Sequence, residues 1–309
     1  QATSPPKTRT RQRPCHRYPM SPTEVEGERL QKVLANAGLG SRREIEQWIR
    51  EGRIRINDRL AQLGDRVTPD DLVRLDGKPL SSRRLAEKSR EIIIYNKPEG
   101  EIVSRNDPEG RPTVFARLPR PKHGRWISLG RLDVNTSGLL IFSTDGELAN
   151  RLTHPSRQVE REYAVRVFGE VTDAQLEQLV QGVELEDGPA RFEEITPAGG
   201  EGINRWFHVV LMEGRKREVR RLWESVGLTV SRLKRVRFGP VILDSATRAG
   251  RWRELTPEER RALLALVDME DEAPAKKIPP SKRKPPVRKK AGSKKTAARP
   301  GMRRQRRGR

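Results

Sequence analysis

The apolar residues of this chain come in short runs, and the patterned ones all fall between about residues 28 and 268. The longest runs, around Gly138–Phe142 and Ala262–Val267, are far below the ~18 residues that a membrane span needs. A chain written this way is expected to fold from many short elements. Of its 309 residues only 33% are hydrophobic, and 64 Lys and Arg face 42 Asp and Glu. The excess sits at the ends. Residues 1–22 hold five basic side chains and no acid, and residues 273–309 hold sixteen and no acid. The stretch between them is close to neutral, so the high overall charge describes the ends rather than the folded part.

Such Lys/Arg/Pro-rich ends have almost nothing to bury against the entropy of ordering. Residues 1–27 and 269–309 are therefore expected to be disordered, and to attract a polyanion through counterion release. No apolar segment of secretory type precedes the patterned sequence, and Met20 stands just before it, so residues 1–19 receive no functional reading. A single cysteine, Cys15, excludes an internal disulfide framework and fits a reducing, cytoplasmic compartment. The four histidines, at 16, 123, 154 and 208, lack ligand spacing, so no metal site is expected.

A first module is expected at residues 28–80. Leu30, Val33, Leu34 and Ala37 recur at the spacing of an amphipathic helix, ended by Gly38-Leu39-Gly40. Ser41 with Glu44 is a capping-box start for a second helix, stopped by Gly52. Arg53–Ile56 and Leu72–Leu75 alternate as strands, with turns at Asn57-Asp58 and Asp76-Gly77. Arg42, Arg43, Arg50, Arg53, Arg55 and Arg59 cluster on the second helix and first strand, with no Lys among them. A solvated ion-paired face is one reading. RNA contact is the other, since Arg suits bidentate phosphate binding. Residues 81–90 are polar and aperiodic and read as a linker.

The second module, residues 91–268, alternates strand and helix patterns. Ile92–Tyr95, Trp126–Leu129, Leu139–Phe142, Tyr163–Val167 and Trp206–Val210 are strand candidates. Thr172 with Gln175 and Thr256 with Glu259 are capping-box helix starts, and Lys216–Val226 is a third helix ended by Gly227. Short turns between strands argue for an α+β fold with a mainly antiparallel mixed sheet. Asp133 lies in a polar loop between two apolar strands, with Arg131 nearby to hold it ionised. A plain turn hydrogen bond from that Asp reads equally well. Arg215–Arg237 contains nine Lys or Arg against Glu218 and Glu224. That local excess is expected to line a binding cleft beside Asp133.

The stretch LQKVLANAGLGSRREIEQWIREGRIRIN resembles the S4 RNA-binding domain along almost its whole length. YNKPEG at 95–100, GRLDVNTSGLLIFSTDGELANRLTHPS at 130–156, EREYAVRV at 160–167 and EGRKREVRRLWESVGLTVSRLKRVRFGP at 213–240 resemble the motifs of RsuA/RluB-type ribosomal RNA pseudouridine synthases, in that family's order. The resemblance covers about residues 28–268. It implies isomerisation of uridine in ribosomal RNA without a cofactor, with the essential carboxylate at Asp133 acting as nucleophile at the sugar or as base for a sugar proton. It also implies an active-site tyrosine at Tyr163, stacking on a flipped base, and a partner cation at Arg215. Leu132 and Leu139 are pocket walls or core residues. RNA contacts are expected from Arg42, Arg43, Arg53, Arg55, Arg131, Lys216, Arg217, Arg220, Arg221 and Arg235.

The wording at 154–170 is most similar to the large-subunit type, which implies a uridine in domain V of 23S rRNA, free or within a large-subunit assembly intermediate. A 16S site or another 23S uridine is the alternative within the family. A non-catalytic S4-type assembly factor would explain the N-terminal module and the basic ends, but not Asp133, Tyr163 and Arg215 in matching contexts. An S4-bearing methyltransferase would need a glycine-rich cofactor loop, which the sequence lacks. A monomer is expected, with no membrane association.

Overall fold

A computed structural model describes residues 27–82, 85 and 90–271. Both basic extensions, and most of the expected linker, lie outside those residues. In the N-terminal module the first amphipathic stripe becomes helix α1 (Leu30–Asn36), whose Leu30 and Leu34 are fully buried. Ser41 accepts a hydrogen bond from the Glu44 amide at 3.1 Å and donates its own amide to the Glu44 carboxylate at 2.6 Å. This capping box starts helix α2 (Arg42–Arg50), which buries Ile45 and Ile49. Four short antiparallel strands follow, in the order 59–60, 54–56, 73–75, 78–79. Ile54, Ile56 and Val73 close a small core against the two helices.

The rest of the chain is built on one mixed sheet. Its main strands are β1 (Ile92–Lys97), β2 (Ser137–Ser143), β3 (Arg161–Phe168), β4 (Glu194–Glu201), β5 (Asn204–Leu211), β6 (Thr229–Phe238) and β7 (Trp252–Glu254). They lie in the order β4-β5-β3-β6-β2-β1-β7. Neighbours are antiparallel except β6 and β2, which run parallel where Lys234 meets Ser137 and Arg235 meets Gly138. Side chains of β1 and β2 alternate between two cores. Ile93, Tyr95, Leu140 and Phe142 join one, and Ile92, Ile94, Leu139 and Ile141 join the other. Both faces are covered, which is why these two strands read as unbroken apolar runs. Helix α5 (Glu218–Ser225) packs on the first face, with Trp223 against Phe207 at 5.2 Å and Phe192 at 5.9 Å between ring centroids. Helices α3 (Gly146–Thr153) and α6 (Pro257–Ala265) supply the second face, and α4 (Asp173–Gln181) starts at its expected Thr172 cap. No described helix is long and apolar enough to cross a membrane.

The pattern of β6 was hidden. The sequence read it as part of a basic segment, whereas it is a central strand whose Val230, Leu233, Arg235 and Phe238 are buried. Irregular registers against β3, at Arg166/Val167 and Glu162/Tyr163, break its two-residue period. Helix α5 also starts two residues later than its apolar face suggests, because Arg217 turns into the left-handed region with φ +53°.

Two features hold the loop that carries Asp133. Gly138, at φ +103°, brings β2 against the Arg235 backbone, where a Cβ would overlap the Arg235 carbonyl. At the end of β1, the fully buried Lys97 ammonium donates to the carbonyls of Thr136 at 2.8 Å, Pro98 at 3.0 Å and Val134 at 3.3 Å. Burial pushes this ammonium down to a pKa of about 8, against the opposing pull of Glu101, Glu99 and Asp133.

Gly138→Ala is expected to cost about 2–4 kcal/mol through steric overlap and a forced left-handed residue, read as a lowered Tm. Lys97→Met strips donors from buried carbonyls and is expected to cost about 1–3 kcal/mol near pH 7. Below pH 8 the native lysine is charged, as it is in the unfolded chain, and its full burial penalty applies. Between pH 8 and 10.5 the unfolded chain holds a proton that the native state has released, so this group's contribution to stability rises with pH. Urea unfolding at pH 7.0 and 9.5 should show the gap between wild type and Lys97→Met widening at the higher pH.

Candidate active site

The Asp133 loop runs from Gly130 to Thr136 between the short strand at 127–128 and β2. It closes with a turn in which the Thr136 amide donates to the Asp133 carbonyl at 3.0 Å. Asp133 faces a cavity of about 290 Å³ that Leu132, Thr136, Tyr163, Arg131 and Arg235 also line. The cavity is large enough for a nucleoside and too small for a paired helix.

Tyr163 comes from β3 and sits opposite Arg235 in the β3–β6 register, buried in the first core with its side chain reaching the cavity. Arg235 is 2% exposed. Its Nε donates to the Leu139 carbonyl at 2.8 Å, its guanidinium stands 5.5 Å from the Phe238 ring, and one terminal nitrogen is buried without a partner. Arg161, also on the wall, donates to the carbonyls of Val159 at 2.6 Å and Met212 at 2.9 Å. The hydroxyl of Thr136 is buried without a partner. Leu132 is a cavity wall, while Leu139 is wholly buried in the second core.

Behind the loop lies Arg220 of α5. It donates to the carbonyls of Asn135 at 2.9 Å and Val230 at 2.8 Å, and its Nε has no partner. Burial pushes its pKa down, and the charge of Asp133 is among the acids that pull it back up. Arg220 was expected to touch RNA. With 8% of its surface exposed it is turned inward instead, and its charge interacts with that of Asp133.

Arg215 corrects the expectation of a partner cation for Asp133. It lines the cavity, but its guanidinium is spent on Glu213 at 2.8 Å, Asp187 at 3.4 Å and the carbonyls of Gly188 and Pro189. It thereby ties the 183–190 hairpin to the start of α5. Arg221 is likewise engaged, holding both oxygens of Asp187 at 2.8 and 2.9 Å. On the N-terminal module Arg53 grips Asp76 through two hydrogen bonds, at 2.8 and 2.7 Å, and Arg55 bonds the Asp58 carbonyl. Arg53 thus belongs to the ion-paired face that the sequence left open, while Arg55 is held by a backbone carbonyl. Arg42, Arg43, Arg131 and Lys216 make no hydrogen bond or ion pair among the described residues, and Arg217 only reaches Glu224 at 3.7 Å.

Lys97, Arg161 and Thr136 were missed. Lys97 had a signal, since a lysine closing the apolar run IIIYN must either leave the strand or be buried with partners. Thr136 and Arg161 had none, because their burial depends on strands that meet across the sheet.

The model of the RNA pseudouridylate synthase family matches residues 91–225, and the S4 domain model matches residues 28–73. The chain is 60% identical over 242 residues to the ribosomal large subunit pseudouridine synthase B of Pseudomonas aeruginosa, covering 78% of this chain and 63% of that protein, so it spans less than two thirds of that relative's length. It is 59% identical over 251 residues to the protein of the same name from Escherichia coli K12, covering 81% and 86%. A crystal structure of a pseudouridylate synthase superposes with a TM-score of 0.54 at 26% identity, over 76% of this chain and 99% of that one. With its S4 domain ahead of the catalytic sheet, the chain belongs to the RNA pseudouridylate synthase family.

Proposed function

We propose that the chain converts a uridine of large-subunit ribosomal RNA into pseudouridine, with Asp133 as the essential carboxylate. One observation carries the reading. Asp133, Tyr163 and Arg235 converge on a single nucleoside-sized cavity, with the Arg220 charge fixed behind the Asp133 loop. The reaction breaks the uridine N-glycosidic bond, turns the base and joins C5 to the sugar; the C5 proton leaves and N1, freed from the sugar, takes one up. It is intramolecular and redox-neutral, so its atoms balance without a co-reactant.

The uridine must leave its stack to reach Asp133, at a cost of a few kcal/mol that is smaller in loops. Asp133 then acts on the sugar, as nucleophile or as base for a sugar proton, and either role needs the ionised form. Arg220 stands behind the loop, where its charge and that of Asp133 interact. Tyr163 stacks on the extruded base, and Arg131, Lys216 and Arg217 meet phosphates around the cavity mouth. The names of the P. aeruginosa and E. coli relatives support the large subunit as target. The 154–170 wording supports a domain V uridine in 23S rRNA.

Tritium release from RNA labelled at uridine C5 tests the reaction directly. Release is expected from 23S rRNA, or from a large-subunit assembly intermediate, and not from 16S. Asp133→Ala should lower it at least a thousandfold. Release from 16S alone would move the target to the small subunit, and full activity in Asp133→Ala would end the mechanism. A pair of variants separates the two arginines. Arg220→Gln should lower kcat by one to two orders of magnitude, while Arg215→Ala should act chiefly on KM.

A further inference from the structure

A second cavity, of about 430 Å³, opens where the N-terminal module meets the catalytic sheet. Ser41, Arg42 and Arg43 line it from the capped start of α2, and Arg125, Asn150 and Thr153 line it from the other side. The two modules touch closely beside it, since a Cβ on Gly38 (φ +77°) would overlap the Gly124 carbonyl. Thr153 also lines the Asp133 cavity, so the two spaces adjoin.

Its charge is one-sided. No Asp or Glu lines the cavity. Arg125 is half-buried, its Nε is buried with no partner, and none of Arg42, Arg43 and Arg125 makes a hydrogen bond or ion pair among the described residues. Burial lowers the pKa of Arg125, and the charges of Arg105 and Arg42 lower it further, with only Glu44 opposing. The Glu44 carboxylate is already bonded to the Ser41 amide. Arg105 is fixed over the Phe115 ring at 4.4 Å and donates to the Trp126 carbonyl. Elsewhere the same module pairs three of its arginines with acids, Arg53 with Asp76, Arg59 with Asp65 and Arg74 with Asp58. Three arginines lining one cavity without a carboxylate repel one another, and an anion relieves that repulsion.

We infer that this cavity binds one backbone phosphodiester of the RNA strand whose uridine enters the Asp133 cavity, held jointly by Arg42 and Arg43 of one module and Arg125 of the other. The inference rests on the RNA-modifying reading above. Because the site is shared, a phosphate there fixes the N-terminal module against the catalytic sheet. It also admits only strands whose fold places a phosphate beside the extruded nucleotide. Target choice by RNA shape then has a structural seat outside the reaction cavity.

The test uses the full chain, with Arg125→Ala and Arg42→Ala. Arg42 is exposed on the first turn of a helix, so its variant carries no folding risk. Binding is measured on a 23S rRNA fragment that the wild type binds, across a salt series. Each variant is expected to raise Kd about tenfold near 0.1 M salt, and to reduce the log–log salt slope by about one. In a scan of single methylphosphonate replacements, one neutralised phosphate near the target should weaken the wild type and leave Arg125→Ala indifferent. Unchanged Kd and slope in both variants would overturn the site. So would variants that lose affinity yet respond to every replacement as the wild type does, or inorganic phosphate that binds at Arg125 without being displaced by RNA. Failure of the pseudouridylation reading shows separately, as wild-type protein that binds RNA and releases no C5 tritium.

Discussion

Three buried cations without carboxylate partners, Lys97, Arg220 and Arg235, surround the Asp133 loop, and the arrangement of the site depends on them. Each is held by backbone carbonyls alone: Lys97 by those of residues 98, 134 and 136, Arg220 by 135 and 230, Arg235 by 139. Carbonyl dipoles offset part of the desolvation cost of an isolated charge, which is several kcal/mol per ion, and leave its field unneutralised. The same bonds fix the loop geometrically, since Lys97 spans from β1 and Arg220 from α5 to consecutive carbonyls of the turn.

Much of this fold was legible because local rules and global packing agree. All three expected capping boxes, at Ser41, Thr172 and Thr256, begin helices. The apolar runs at Ile92 and Leu139 became strands buried on both faces. What stayed hidden depends on contacts distant in sequence. β6 lost its alternation to bulges, β4 contains the aperiodic segment TPAGGE, and β7 is a three-residue strand on the sheet edge. Asp133 and Tyr163 were legible as candidates because the motif resemblance marked them, whereas Arg235 was read only as an RNA contact within a basic segment. The sorting of arginines within RKREVRR was not. Adjacent positions on one helix turn point to different surroundings, and periodicity alone could not say that Arg220 goes inward while Arg215 and Arg221 latch onto the hairpin at Asp187.

A similar sorting is seen elsewhere among the described residues. Arginines distant from the two cavities are mostly tied to Asp or Glu, as in the Arg237 bridge to Glu160 and Glu162 and the Arg253 bridge to Asp244 and Glu259. Exposed pairs of this kind add little to stability, but they silence the surface electrostatically. Around the two cavities, Arg42, Arg43, Arg125, Arg131 and Lys216 have no carboxylate partner among the described residues. Net charge therefore says less about the binding face than the pairing pattern does.

The parallel junction between β2 and β6 has a kinetic consequence. Arg235 and Leu139, which bond across it, are 96 residues apart in the chain, and the segment between them contributes β3, β4, β5 and α5. Pairings that close such long loops form slowly and late, because the entropy of closure is lost before the contact repays it. The Asp133 cavity is assembled across this junction, so it is completed only when the most demanding step of folding is done. During synthesis the N-terminal module can collapse on its own early contacts, while the reactive pocket stays unformed until β6 has been made and docked. A nascent chain thus holds a finished N-terminal module well before it holds a finished cavity.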